Sequence, residues 1–118
     1  MSLKSTLAIP FAKKARKKVY KWAYNPHKTQ QKVFKELIKK AKNTAFGKDH
    51  NFDKITSYSD FKKQVKVTDY EGLRPYVDRI IAGENNVLWK GKPLYFAKTS
   101  GTTSGAKYIP ITKESMPT

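Results

Sequence analysis

The chain contains the run Thr99-Ser100-Gly101-Thr102-Thr103-Ser104-Gly105-Ala106-Lys107. Two glycines in this run frame three hydroxyl-bearing residues, and a lysine follows them. Glycine lets a backbone bend with positive φ and approach a ligand closely, and successive amides in such a turn form a concave donor array for phosphate oxygens. Ser and Thr hydroxyls add donors, and the Lys107 ammonium adds a positive charge. These residues indicate a phosphate-binding loop, with a hairpin loop that binds no ligand as the alternative.

The run differs from the two best-known nucleotide-phosphate patterns. The Walker pattern needs four residues between its glycines and a lysine directly after the second. Here three residues separate Gly101 from Gly105, and Ala106 precedes the lysine. The dinucleotide pattern fails because no glycine stands at position 103 or 106. No acid occurs between Glu84 and Glu114, so no nearby carboxylate would repel a polyphosphate.

Short apolar segments flank the loop and predict β-strands. They are Val87-Leu88-Trp89, Leu94-Tyr95-Phe96-Ala97 and, after the loop, Tyr108-Ile109-Pro110-Ile111. Thr112 with Glu114 predicts the start of another helix. A strand, a polar loop, a second strand and a helix start form the opening of an α/β unit, whose burial needs further elements. We therefore expect these residues to be part of a longer chain.

The first part of the chain is strongly basic. Of the 25 Lys and Arg residues, 14 lie in residues 1–48, which contain a single acid, Glu36; the formal net charge of the whole chain is +16. Residues 5–24 predict a basic amphipathic helix with Phe11 and Trp22 on its apolar face. Such asymmetry fits nucleic acid, anionic lipid or an acidic second half of the same protein. A small basic module that binds nucleic acid or an anionic membrane is therefore the alternative function.

Residues 25–85 predict a mainly helical region. The first predicted helix spans residues 26–42, with Asn25 as its N-cap. A short helix from Ser57 or Ser59 to residue 65 follows. The third helix runs from about residue 69 to Gly83, with a capping box at Thr68 and Glu71 and an interruption at Pro75. In the last helix, Val77, Ile80 and Ile81 are expected to point inward. Residues 45–52 predict a loop anchored by two aromatic side chains.

Composition excludes several kinds of site. There is no cysteine, and His27 and His50 are far apart in sequence, so we expect neither a disulfide framework nor a metal site built by the protein. No apolar run approaches the ~20 residues that cross a bilayer. The first eleven residues lack the apolar core of a secretory signal. These features together predict a cytoplasmic protein.

The loop resembles the phosphate-binding signature of acyl-adenylate-forming enzymes, whose usual form is Ser/Thr-Ser-Gly-Thr-Thr-Gly-x-Pro-Lys. Ser104 replaces a glycine of that form, and Ala106 replaces its proline. With Tyr108-Ile109-Pro110 following, these departures resemble one branch, the auxin-responsive "Gretchen Hagen 3" family of acyl acid amido synthetases. Upstream segments that also resemble the family are Asn43-Thr44-Ala45-Phe46-Gly47, Tyr70-Glu71-Gly72-Leu73-Arg74-Pro75-Tyr76 and Ile80-Ile81-Ala82-Gly83-Glu84. The resemblance covers roughly residues 28–118.

The resemblance implies a luciferase-like α/β fold with a large N-terminal domain and a smaller mobile C-terminal domain. Residues 1–118 would be the mostly helical N-terminal part of the large domain: a basic helix over 1–24, a helical region over 25–85, and strands with the phosphate loop over 86–118. The fragment alone would be inactive. The implied partners are a carboxylic acid, an amino acid or amine, and the remaining portion of the same polypeptide, with neither nucleic acid nor membrane.

The implied reaction uses ATP and Mg²⁺ to form an acyl-adenylate, which an amine converts to an amide. The residues expected to hold the nucleotide phosphates are Thr99, Ser100, Gly101, Thr102, Thr103, Ser104, Gly105 and Lys107. Ser100 through Thr103 match the signature position by position, and Lys107 matches it in spacing. The resemblance assigns no catalytic residue and no protein ligand of a metal within this chain.

Overall fold

The computed structural model describes residues 2–101 and 105–116. Within them the fold is mostly helical with one small antiparallel sheet. The elements in chain order are α1 (Leu3–Ala23), α2 (Pro26–Ala41), α3 (Ala45–Asp49), a 3₁₀ turn (Phe52–Lys54), α4 (Tyr58–Gln64), α5 (Tyr70–Ile81), β1 (Tyr95–Lys98), β2 (Tyr108–Ile111) and a second 3₁₀ turn (Lys113–Ser115). The chain forms two compact units, Met1–Lys35 and Glu36–Thr118.

The first unit contains the predicted basic helix. Helix α1 begins after Ser2, whose side-chain oxygen accepts a hydrogen bond from the Ser5 N–H, and it continues through Pro10. All its residues are exposed. On its surface the Tyr20 and Tyr24 rings stack with their centroids 5.7 Å apart. Among the described residues, no helix has both the length and the apolar character that a bilayer span requires.

The second unit has a small apolar core. Its buried side chains come from α2, α5 and the segments that follow α3 and α5: Ile38, Ala41, Phe52, Ile55, Val77, Ile80 and Val87. The inward placement of Val77 and Ile80 confirms the sequence prediction. The prediction for Ile81 is wrong, since this side chain is 50% exposed. Helix α5 faces the core along the Val77–Ile80 stripe, and Ile81 is its last residue, turned by about 100° from its predecessor.

A buried threonine organises the segment after α2. The Thr44 hydroxyl donates to the Ala41 carbonyl at 2.7 Å and accepts from the Gly47 N–H at 3.0 Å. A Cβ at Gly47 would overlap the Ala41 carbonyl, so only glycine fits beside this cap. The predicted loop over residues 45–52 is therefore wrong in its first half. Capping by Thr44 turns that half into helix α3.

The segment after α5 completes the N-terminus of α3. The Ala45 and Phe46 N–H groups donate to the carbonyls of Asn86 and Val87 at 2.8 and 3.0 Å. Val87 is buried, and Asn86 adopts a positive φ of 54°. The strand predicted at Val87-Leu88-Trp89 is wrong: these residues form bends. Val87 contributes its side chain to the buried core, and its carbonyl bonds to a helix terminus instead of a neighbouring strand.

Helix α5 starts close to the predicted position but with a different cap. The Asp69 carboxylate accepts from the Gly72 N–H at 3.1 Å, which replaces the capping box expected from Thr68 and Glu71. The predicted interruption at Pro75 is wrong as well. The helix is continuous through this residue, because only one backbone donor is lost and the helix remains packed along its buried stripe.

The N-terminus of α4 has a capping box formed by Ser57, one of the two serines predicted to start this helix, and Asp60, and it gives a pH-dependent prediction. The Asp60 carboxylate accepts from the Thr56 hydroxyl at 2.9 Å, from the Thr56 N–H at 3.1 Å and from the Ser57 N–H at 3.2 Å. The Thr56 hydroxyl contributes most to holding the Asp60 pKa below its ordinary value. Ionised Asp60 therefore stabilises the folded helix above about pH 4, and this stabilisation is lost as pH falls through the lowered pKa.

We expect Asp60→Asn to accelerate amide hydrogen exchange of residues 58–64 several-fold at pH 7 in the full-length protein. As the pH is lowered through the Asp60 pKa, the ratio of variant to wild-type exchange rates should fall towards one, because the wild-type carboxylate then loses its charge as well. Exchange rates followed by mass spectrometry over a series of pH values provide the comparison. A ratio that stays constant across this range would contradict the assigned role of the ionised carboxylate.

Candidate functional site

The strand–loop–strand unit is present around residues 99–107. Strands β1 and β2 pair antiparallel, with Tyr95 opposite Ile111 and Lys98 opposite Tyr108. Pro110 lies within β2 opposite Phe96. This confirms the two strands predicted next to the loop, with β1 shifted by one residue from the prediction. The described residues after Thr112 form a 3₁₀ turn where the sequence predicted a helix start.

The loop is closed at its base by two hydrogen bonds between its first and last residues. The Thr99 N–H donates to the Lys107 carbonyl at 2.9 Å. The Lys107 N–H donates to the Thr99 hydroxyl oxygen at 3.2 Å. Thr99 thus contributes to the shape of the loop through its side chain as well as its backbone. The sequence prediction had assigned this residue to phosphate binding, and the geometry gives it a structural contact at the loop base.

The two loop glycines meet each other. A Cβ on Gly101 would overlap the carbonyl group of Gly105, so the backbone here passes too close for any other residue. Gly105 itself has a φ of +79°, in the left-handed region that glycine adopts without strain. Ser100 and Gly101 are exposed. Such a close approach of two backbone segments at an exposed position leaves room for an anion to reach the backbone amides.

Three of the predicted phosphate-binding residues, Thr102, Thr103 and Ser104, lie outside the described residues. Their assignment therefore stays a prediction from the sequence. The described members of the set are brought together by the hairpin. Thr99 and Lys107 join at its base, while Ser100, Gly101 and Gly105 lie on the two limbs of the loop.

A residue that the sequence prediction missed, Tyr70, touches the end of the loop. Its hydroxyl accepts from the Tyr108 N–H at 2.9 Å and donates to the Tyr108 carbonyl at 3.3 Å. The Lys107 ammonium lies 5.8 Å from the centroid of the Tyr70 ring, within cation–π range. Tyr70 belongs to a segment that resembles the family, but a separation of 38 positions hides its contact with the loop from local sequence patterns.

Metal binding at this loop would depend on the nucleotide. In nucleotide sites Mg²⁺ is usually held by one or two carboxylates together with the phosphates. Over residues 2–101 and 105–116, no three His, Asp or Glu side chains are grouped so that they could hold a metal ion. The donor set of the loop consists of amides, hydroxyls and one ammonium, which fits phosphate oxygens. A Mg²⁺ ion bound here would therefore take most of its ligands from the phosphates and water.

Comparison with known proteins assigns the chain to a family. The model of the GH3 family N-terminal domain matches residues 15–118. The chain belongs to the GH3 family. This is the family that the loop and its flanking segments resemble. The match takes in the loop, Tyr70 and the Thr44 cap, whereas the start of α1 lies outside it.

Several plant synthetases are similar to this chain. Indole-3-acetic acid-amido synthetase GH3.2 of Arabidopsis thaliana is 31% identical over 105 residues, which cover 87% of this chain and 19% of that protein. GH3.15 of the same plant, also an indole-3-acetic acid-amido synthetase, is 45% identical over 58 residues, which cover 48% of this chain and 10% of that protein. Jasmonoyl–L-amino acid synthetase JAR4 of Nicotiana attenuata is 26% identical over 91 residues, which cover 75% of this chain and 16% of that protein. The chain spans about a fifth of the length of the curated relatives it matches.

Proposed function

We propose that the full-length protein is an ATP-dependent ligase that joins a carboxylic acid to an amino acid or another amine. The observation that carries this proposal is the loop over residues 99–107, in which the Gly101 backbone approaches that of Gly105 closely, inside a GH3 N-terminal domain whose relatives are named amido synthetases or, in one case, an amino acid synthetase. We place this domain in a luciferase-like fold, with the acyl, amine and adenine sites in the remaining polypeptide. The proposed location is the cytoplasm.

The proposed chemistry has two steps. ATP supplies an adenylyl group: a carboxylate oxygen forms a bond to the α-phosphorus, the bond to pyrophosphate breaks, and an acyl-adenylate results. The amine nitrogen then bonds to the acyl carbon, loses a proton and displaces AMP. Activation is needed because a carboxylate is a poor electrophile, whereas AMP is a good leaving group.

The loop would act on the phosphates that leave. Amide donors near Gly101 and Gly105 and the hydroxyls of Ser100, Thr102, Thr103 and Ser104 would bind the β- and γ-phosphate oxygens. Donors held in place before the reaction would offset the charge that develops on pyrophosphate without reorganising. The Thr99–Lys107 hydrogen bonds would keep the loop closed at its base during this step.

Adenylation can be measured without knowing the amine. We expect the full-length protein to catalyse ATP–pyrophosphate exchange that depends on an added acid, with indole-3-acetic acid and jasmonic acid as the first probes. The double variant Ser100→Ala, Thr102→Ala should lose this exchange, because two of the phosphate-binding hydroxyls are removed. A matched double variant, Ser59→Ala with Thr68→Ala, removes two exposed hydroxyls elsewhere and should retain it. Undiminished exchange in the loop variant would contradict the assigned role.

The alternative of a basic module rests on different residues. Helix α1 presents its lysines and its one arginine, Arg16, on an exposed surface, which any polyanion would attract. Charge alone does not select a ligand class, and the Arg16 guanidinium and Tyr24 ring already contact Tyr20. The ligase proposal is favoured because it uses a specific backbone geometry as well as charge.

A further inference from the structure

Tyr70 links helix α5 to the strand that leaves the loop. It is the first residue of α5, and the Asp69 cap fixes the helix start beside it. From there its hydroxyl forms both hydrogen bonds to the backbone of Tyr108, the first residue of β2. Two consecutive residues at the end of the loop are thus hydrogen-bonded: the Lys107 N–H to Thr99, and the Tyr108 N–H to Tyr70.

The hairpin needs such a contact. Its two strands are four residues long, and a two-stranded hairpin is at best marginally stable in water. The hydrogen bonds between Thr99 and Lys107 hold the two limbs together but do not fix the hairpin relative to the helices. The part-buried Tyr70 hydroxyl supplies that connection over a separation of 38 positions.

The ring of Tyr70 has a second role that is separable from the hydroxyl. The Lys107 ammonium lies 5.8 Å from its centroid, and the Arg74 guanidinium carbon lies 5.4 Å from it. Arg74 is itself held by Glu71 through two hydrogen bonds of 2.9 and 2.6 Å. Phenylalanine at position 70 would keep both ring contacts and lose only the hydrogen bonds to the Tyr108 backbone.

We propose that Tyr70 is a positioning residue that holds the second limb of the loop, residues 105–107, in the position from which the loop receives the nucleotide phosphates. The inference rests on the proposed ATP-dependent function. Without the hydroxyl, a smaller fraction of molecules has the competent loop at any moment, and the apparent affinity falls by that fraction. Saturating ATP selects the competent form, so the maximal rate is preserved. Tyr70 therefore acts on KM for ATP and leaves kcat nearly unchanged.

The test compares Tyr70→Phe with Tyr76→Phe in the full-length protein. Tyr76 lies on the same helix, and its hydroxyl donates to the Asp49 carboxylate at 2.7 Å, away from the loop. In acid-dependent ATP–pyrophosphate exchange, Tyr70→Phe should raise KM for ATP roughly tenfold with kcat within about twofold of wild type. Tyr76→Phe should leave KM for ATP unchanged even if it lowers Tm as much as Tyr70→Phe does.

Amide hydrogen exchange without nucleotide provides a readout that does not depend on activity. Residues 105–111 should exchange faster in Tyr70→Phe than in wild type, and Tyr76→Phe should leave them unchanged. Wild-type protein with no acid-dependent exchange of pyrophosphate would overturn the proposed function. If the wild type is active, any of three results would overturn the role of Tyr70 alone. These results are an unchanged KM for ATP in Tyr70→Phe, a similar rise of KM for ATP in Tyr76→Phe, and unaltered hydrogen exchange of residues 105–111 in Tyr70→Phe.

Discussion

Gly101→Ala should reduce the kcat/KM of ATP–pyrophosphate exchange by about 100-fold or more in the full-length protein. The new methyl group would overlap the carbonyl oxygen and carbon of Gly105. Because these two atoms belong to the backbone, no side-chain rotation can relieve the overlap. The loop must therefore open, which moves the phosphate donors away from their positions. Displacements of about 1 Å at a reacting group are enough to cost roughly 100-fold in rate. Steady-state exchange at varied ATP concentration measures the loss.

Gly105→Ala and Gly91→Ala provide a matched pair for this prediction. The two glycines have φ values of +79° and +78°, and a Cβ at either would meet no neighbouring atom within 4 Å. Each substitution therefore adds a similar backbone strain, about 1–2 kcal/mol. Both substitutions should lower Tm by similar amounts, but only Gly105→Ala should impair ATP–pyrophosphate exchange. If Gly101→Ala retained activity within a few-fold of wild type, the close approach of Gly101 to Gly105 would have no part in nucleotide binding.

Local sequence patterns predicted the parts of the site that are local. The hairpin around the loop follows from apolar and β-branched residues on both sides of a glycine-containing run, and the structure confirms β1 and β2 there. The need for glycine at position 105 also follows from turn chemistry. The overlap that forbids a side chain at Gly101 depends on how closely the backbones of Gly101 and Gly105 approach each other, and no spacing rule predicts it.

Long-range contacts explain where the sequence predictions were wrong. Val87 has the composition of a strand residue, yet its carbonyl accepts from the Phe46 N–H at the start of α3. Val87 lies in a short apolar run, and periodicity alone does not show whether such a run is buried in a sheet or among helices. Tyr70 was missed for a related reason: its partner Tyr108 is fixed by the packing of α5 beside β2.

Thr44→Val should produce the largest loss of stability expected in the second unit. The variant keeps the shape of the side chain but removes the hydroxyl that caps α3, and Thr44 is 1% exposed. The Gly47 N–H, also buried, would lose its acceptor, and the hydrogen bond to the Ala41 carbonyl would disappear. Leaving a buried donor unsatisfied costs about 1–3 kcal/mol, and loss of an N-cap costs about 0.5–2 kcal/mol.

A combined loss of about 2 kcal/mol corresponds to roughly 30-fold faster amide hydrogen exchange of α3 where exchange proceeds by local opening. Mass spectrometry of peptides covering residues 45–49 in the full-length protein measures this change. Thr44→Ser is the matched control, because it keeps the hydroxyl and loses only a methyl group, worth about 0.8 kcal/mol. Its exchange should therefore rise no more than about fourfold. If the valine variant were as well protected as the serine variant, burial of the methyl group and not the two hydrogen bonds would hold α3 in place.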